Sequence, residues 1–294
     1  MNTVLLNNHQ NGHTYRADGP VYETDQVWCG TGQDEQGRPL FFKLIRYGHL
    51  SPENKKQVLK AAEREAETMI RVRRCTDRTP ELYDSWDDPQ QNAYVLVMQK
   101  LPGITLRRWM QTRPLDPNDP RYETAIWVRS LILRQVAQIL RSIHIKIPGI
   151  NHLDLKPENV MIWQDESKKW QVGLIDFGTA ALDHTLLTGT FGYQSPERIS
   201  RMGTVMGSGE AKDVFSLGVL WYELLTGCPQ EDLAMLFLPS LNAPEWEVCP
   251  QLPESILSGK SGNQYRWLFE KMIAFLPATR PHLEEVIRYI PVKR

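Results

Sequence analysis

The stretch His152-Leu153-Asp154-Leu155-Lys156-Pro157-Glu158-Asn159 crowds a carboxylate, an ammonium group and an amide into one short loop, with Asn159 five positions after Asp154. That spacing suits convergence on a single point. A second stretch, Val172-Gly173-Leu174-Ile175-Asp176-Phe177-Gly178, reads as a buried strand that delivers one carboxylate beside a permissive glycine. Phosphoryl transfer needs a cation held by hard oxygens, a carboxylate to orient the attacking hydroxyl, and an ammonium group near the phosphates. The two stretches supply all three: Asp176 and Asn159 as metal ligands, Asp154 as base and Lys156 as the ammonium group.

These side chains need elements to carry them. Residues 1–14 are rich in Asn, His and Gly and read as a flexible leader. Gln26 to Cys29, a polar turn through Gly30, Gly32 and Gly37, and the apolar run Leu40 to Ile45 predict a hairpin. Ser51, as a cap before Pro52, opens a helix to about Arg74. Tyr94 to Met98 reads as a buried strand and Leu101-Pro102-Gly103 as a connector. Helical periodicity then dominates, over Leu106–Gln111, Ile126–Ile145, Asp213–Thr226, Gln264–Phe275 and Leu283–Tyr289.

Composition narrows the setting. With 41% hydrophobic and 23% charged residues in 294, the chain can bury a core and does not read as disordered. A formal net charge of -1 gives no basic field for nucleic acid or anionic lipid, although Arg71-Val72-Arg73-Arg74 is a local patch. Cys29, Cys75, Cys228 and Cys249 are too scattered for a zinc site or a disulfide framework, and predict a reducing cytoplasm. The most apolar helical stretch, Ala125 to Ile145, is interrupted by Arg129, Arg134 and Arg141, so no membrane span is expected.

Taken in order, the motifs resemble those of the eukaryotic-type protein kinases. Beyond the two loops, Phe41-Phe42-Lys43 is similar to the strand carrying that family's phosphate-binding lysine, and Arg64-Glu65-Ala66-Glu67 offers its glutamate partner, assigned to Glu65 with Glu67 in reserve. Gly189-Thr190-Phe191-Gly192-Tyr193-Gln194-Ser195-Pro196-Glu197 resembles the substrate-facing segment, Asp213 to Gly218 the start of the central helix, and Pro277-Ala278-Thr279-Arg280-Pro281 the late arginine motif. The resemblance implies an α+β fold in two lobes: a small β-rich N-lobe with one helix (residues 15–98), a hinge (99–103) and a larger, mainly α C-lobe (104–290). It further implies a Ser/Thr kinase using ATP and Mg²⁺ on protein hydroxyls. Asp154, Lys156 and Thr190 are then catalytic, with Asn159 and Asp176 on the metal. Lys43 and Glu65 serve the phosphates, and Val27, Met98, Gln99, Leu101 and Met161 surround the base.

Plainer roles compete for several residues. His152, Met69 and Phe177 read as packing pieces, whereas a lysine inside the apolar run Leu40 to Ile45 needs a reason to stay. Asp213 is also read as a helix N-cap, and the resemblance implies that its carboxylate bonds to backbone. The resemblance also implies that Arg280 pairs with Glu197.

Three positions depart from the family pattern. The glycine-rich flap, expected between Gly19 and Val27, holds one glycine before its end and the acids Glu23 and Asp25, which would repel phosphates. Gly30-Thr31-Gly32 lies too near Lys43 to replace it and reads as a hairpin turn. Phe41 stands where a small residue normally faces the adenine, and these departures motivate an alternative: a pseudokinase-like scaffold with impaired turnover. A small-molecule phosphotransferase shares the loops but lacks the segment Gly189 to Glu197. Leu153 replaces the arginine that receives an activating phosphate, so activity is expected without phosphorylation of Thr185 or Thr188. The double variant Thr185→Ala/Thr188→Ala should retain phosphotransfer; its abolition in a folded protein contradicts that expectation.

Overall fold

The computed structural model describes residues 3–178, 180, 190–199, 209–237 and 250–290, so Thr185, Thr188, Gly189 and Cys249 lie outside the described residues. The chain divides into two compact units, Met1–Leu101 and Pro102–Arg294. The first is sheet-rich with one long helix and the second mainly helical, an α+β composition.

In the first unit, β1 (Val4–Asn7), β2 (Thr14–Glu23), β3 (Val27–Gln33), β4 (Pro39–Arg46), β5 (Leu82–Asp88) and β6 (Ala93–Gln99) form one sheet in the order β1-β2-β3-β4-β6-β5. Every pairing is antiparallel. Between β4 and β5 runs helix α1 (Pro52–Arg73), begun by the Ser51 hydroxyl accepting from the Asn54 amide. Side chains alternate across a strand, and the apolar residues of β4 and β6 are sorted accordingly. Leu40, Phe42 and Leu44 join Val95 and Val97 in the core on one face. Phe41 and Ile45 fall on the other, with Tyr94, Leu96 and Met98 against Ala62, Ala66 and Met69 of α1. Each fully buried Leu, Val or Phe among them contributes about 1.5–3 kcal/mol by leaving water. Lys43 shares its parity with Phe41 and Ile45, so it too lies on the α1 face.

Residues 3–14, expected as a flexible leader, instead build the sheet edge. Strand β1 pairs with β2 from Val4↔Ala17 to Asn7↔Thr14, and Leu6 is fully buried. The Asn-rich tip is tied down by the Asp84 carboxylate, which accepts from Asn8 and Asn11 amides and from the Tyr15 hydroxyl at 2.9–3.1 Å. Gly30 and Gly32, expected in a turn, lie within β3 opposite Phe42 and Leu40. A Cβ on Gly30 would come within 2.2 Å of the Trp28 ring, and one on Gly32 within 2.0 Å of the Arg16 carbonyl oxygen. The glycines answer to packing, and the chain reverses at Asp34–Arg38, where Gly37 takes φ 77°.

The second unit opens with β7 (Ile104–Thr105), α2 (Leu106–Gln111) and α3 (Tyr122–Lys146). Strands β8 (Val160–Gln164) and β9 (Trp170–Leu174) complete a three-stranded sheet with β7. Then follow α4 (Pro196–Ile199), α5 (Gly209–Thr226), α6 (Gln230–Phe237), α7 (Glu254–Leu257), α8 (Gly262–Met272) and α9 (Leu283–Tyr289). Helix α5 is apolar nearly all round and correspondingly buried between α3 and α8. Its described part already begins at Gly209, so Asp213, expected as an N-cap, lies inside the helix. No helix among the described residues is long and apolar enough to cross a membrane.

The burial of Leu6 gives a test of the corrected edge. Leu6→Ala should destabilise the first unit by about 2–5 kcal/mol in urea unfolding, whereas an unchanged transition means that β1 is not part of the core.

Candidate active site

In the first unit the alternation of β4 presents Lys43 to the helix, and Glu65 is buried on the facing side of α1. Lys43 Nζ lies 2.7 Å from Glu65 Oε1, with the side chains 14% and 6% exposed. A pair so withdrawn from water is held at a defined geometry, and removing either partner would cost the other its opposite charge at 2.7 Å. Phe41 packs with the α1-facing cluster on this same face. Met98 pairs with Phe41 across β4 and β6 and is buried; Gln99 closes β6 through its amide to the Glu81 carbonyl, and Leu101 is buried beyond it. Val27 opens β3, pairing with Ile45.

The second unit gathers Asp154, Lys156, Asn159 and Thr190. Asp154 Oδ1 accepts from the Thr190 amide at 2.8 Å and from its hydroxyl at 2.9 Å. Its Oδ2 accepts from Lys156 Nζ at 2.9 Å and Asn159 Nδ2 at 3.0 Å. Lys156 Nζ also donates to Thr190 Oγ1, at 2.5 Å. One carboxylate thus gathers the Thr190 alcohol, the Lys156 ammonium group and the Asn159 amide at one point.

Asn159 donates a second bond to the Asp154 carbonyl at 2.8 Å, so its amide nitrogen is committed and Oδ1 remains as the donor atom for a metal. Asp176, exposed after β9, adopts φ 63°. The two strands are registered by β8–β9 pairing, and the Ile175 amide donates to the Asn159 carbonyl at 3.0 Å, which ties the two candidate metal ligands together through backbone. A carboxylate and an amide oxygen fit a hard cation such as Mg²⁺, which typically takes one or two protein oxygens and completes its shell with phosphates and water. Met161, on β8 opposite Gly173, is half-buried.

The loop itself is fixed from below by Asp213, which is fully buried. Its Oδ1 accepts from the Leu153 amide and its Oδ2 from the His152 amide, both at 2.9 Å, and His144 Nε2 lies 2.9 Å from Oδ2. These contacts hold Leu153 at φ 62°, a left-handed conformation that costs a branched residue about 1–2 kcal/mol. His152 is buried against Phe177, ring centroids 4.9 Å apart, and its Nε2 lies 3.1 Å from the Ile175 carbonyl oxygen, so it packs as a structural residue. Arg280 grips Glu197 with two bonds of 2.7 and 2.9 Å, donates to three carbonyls, and lies over the Phe215 ring.

Two arrangements escaped the sequence. Arg107 on α2 donates to Glu158 at 2.6 Å and also to Glu223, which in turn accepts from the Tyr193 hydroxyl. Burial pushes the Glu223 carboxyl above its usual range despite those donors. The signal available was Glu223, an acid within the apolar run Val214 to Leu225 of α5. The other is the His144–Asp213 contact, where burial lowers the imidazole value but the Asp213 hydrogen bond and charge outweigh it, leaving a net rise above 6.5. Burial likewise raises Asp213, yet the His144 bond and charge leave its carboxyl below the usual range.

The signs set a pH window. A raised histidine value gives stability that is full below about 6.5 and is lost as pH rises through the folded value. A lowered carboxyl value gives stability present above about 3.9 and lost as pH falls through the folded one. Imidazole resonances of His144 should titrate above the ordinary value, and in Asp213→Asn, where burial acts without the charge, below it. An unmoved titration contradicts the pairing.

Comparison with known proteins follows the geometry. The model for the protein kinase domain matches residues 32–288. A calcium and calcium/calmodulin-dependent serine/threonine-protein kinase of Oryza sativa subsp. japonica is 36% identical over 173 residues, covering 54% of this chain and 30% of the relative. An interferon-induced, double-stranded RNA-activated protein kinase of Rattus norvegicus is 26% identical over 267 residues, 86% of this chain and 46% of that protein. A calcium/calmodulin-regulated receptor-like kinase of Arabidopsis thaliana is 30% identical over 183 residues, 58% and 40% of the two chains. The chain spans less than half the length of each of these relatives. With the family model matched over most of its length, this chain belongs to the protein kinase domain family.

Proposed function

We propose that this chain transfers the γ-phosphate of ATP to a serine or threonine hydroxyl of a protein. The observation that carries the reading is the Asp154 carboxylate with an alcohol on Oδ1 and the Lys156 ammonium on Oδ2. Asp154 orients the attacking hydroxyl and accepts its proton, as a carboxylate within hydrogen-bond reach of an alcohol can do. Lys156 meets the negative charge that develops beside it. Lys43, aligned by Glu65, binds phosphate oxygens as a point charge. Asn159 and Asp176 would hold Mg²⁺, which would supply charge neutralisation at the phosphates. Val27, Met98, Gln99, Leu101 and Met161 enclose the base.

A choice of Ser or Thr over Tyr rests on Lys156 and Thr190, and agrees with the name of the rice relative. The partner is then a protein carrying such a hydroxyl. A cytoplasmic setting belongs to the same proposal, carried by the scattered thiols and not by the fold.

Incubation with γ-labelled ATP, Mg²⁺ and a generic protein substrate tests the reading. Label should appear on serine or threonine, fall by about 10²–10⁴ in Asp154→Asn, and vanish in Asp176→Asn. Stabilisation of the wild type by ATP with Mg²⁺ in thermal unfolding, with no label transferred, would favour the scaffold instead.

A further inference from the structure

Two acids, Glu23 at the end of β2 and Asp25 in the turn to β3, stand in the place where this family's flap is expected to cover phosphates. Left alone, both would oppose a triphosphate. Glu23 is not left alone: Arg46, the last residue of β4, sets Nη2 2.6 Å from Glu23 Oε1. The same residue holds the turn twice more, through Nη1 to the Thr24 carbonyl at 3.1 Å and through its amide to the Gln26 carbonyl at 2.7 Å. Thr24 closes the turn from within, its amide donating to the Val27 carbonyl at 2.8 Å and its hydroxyl accepting from the Val27 amide at 3.0 Å. Asp25 is exposed and is in no ion pair among the described residues. Of the two acids expected to repel phosphates, Glu23 is therefore already matched by a cation.

We propose that Arg46 sets this chain's affinity for nucleotide polyphosphate by masking the charge of Glu23; the proposal rests on the kinase reading given above. The Arg46 and Glu23 side chains are 35% and 44% exposed, so as a fold-stabilising contact the pair counts for little. A polyanion responds differently, because it interacts with the summed charge of the turn, over distances where one uncompensated carboxylate is felt. A purely structural staple and a charge mask make opposite predictions. If Arg46 only braces the turn, its loss should weaken ATP and adenosine alike, and removing Glu23 as well should repair nothing. If it masks charge, only the phosphorylated ligand should suffer, and removing Glu23 as well should restore binding.

The test is calorimetric titration of the whole chain with ATP in Mg²⁺ and, separately, with adenosine. Arg46→Ala should weaken ATP about three- to tenfold at low salt, with adenosine unchanged, and the penalty should shrink as salt rises. Glu23→Gln added to Arg46→Ala should restore the wild-type ATP affinity. Should Arg46→Ala fail to fold, Glu23→Gln alone decides, since it unmasks the guanidinium and should tighten ATP. Equal losses for both ligands, no loss, no recovery in the double variant, or weaker ATP binding by Glu23→Gln overturns the proposal while leaving the kinase reading intact. A wild type that binds adenosine but gains nothing from the phosphates sinks both.

Discussion

A carboxylate shut away from bulk solvent fixes the loop that carries Asp154. Asp213, inside the apolar helix α5, is fully buried and spends both oxygens on the backbone of His152 and Leu153 and on the His144 ring. An ionised group in such a place is tolerated only when its hydrogen bonds are complete. That requirement works in reverse as well, because it forces the loop to supply those amides and so fixes where Asp154 begins. The left-handed turn at Leu153 is the strain that results, and it persists because the contacts around it over-determine the loop.

From that anchor the remaining positions follow by short covalent distances and paired strands. Asp154 organises Lys156, Asn159 and Thr190, and the β8–β9 register ties Asn159 to the approach of Asp176. In the first unit an equivalent economy appears: strand alternation alone turns Lys43 toward α1, and Glu65 answers it. Arg280 with Glu197 performs the same service within the helical unit, closing a buried acid with a planar fork.

Much of this was legible in the residues. Helix α1 follows from its Ser51 cap and Pro52, and α2 and α9 span the residues the periodicity marked. The Arg280–Glu197 pair followed from its motifs. What stayed hidden were contacts between residues distant in sequence. Strand β1 was obscured because Asn and His read as loop formers until Asp84, on β5, is there to receive them. Strand β5 itself, Leu-Tyr-Asp-Ser-Trp-Asp-Asp, is too acidic to resemble a strand until Tyr15 and Trp86 stack. Gly30 and Gly32 looked like turn residues because their reason, the Trp28 ring and the Arg16 carbonyl, belongs to packing and not to local propensity. The same holds for Arg46, an unremarked strand end until Glu23 is placed beside it.

The claim that joins these observations is that Asp154 works from a position that Asp213 imposes. Single-turnover label transfer by Asp213→Ala, at saturating ATP and Mg²⁺, tests it directly. The account predicts at least about a tenfold fall in the rate of transfer with nucleotide affinity preserved, because the loop is displaced while Lys43 and Glu65 are untouched. A variant that binds nucleotide and transfers label at the wild-type rate would contradict it.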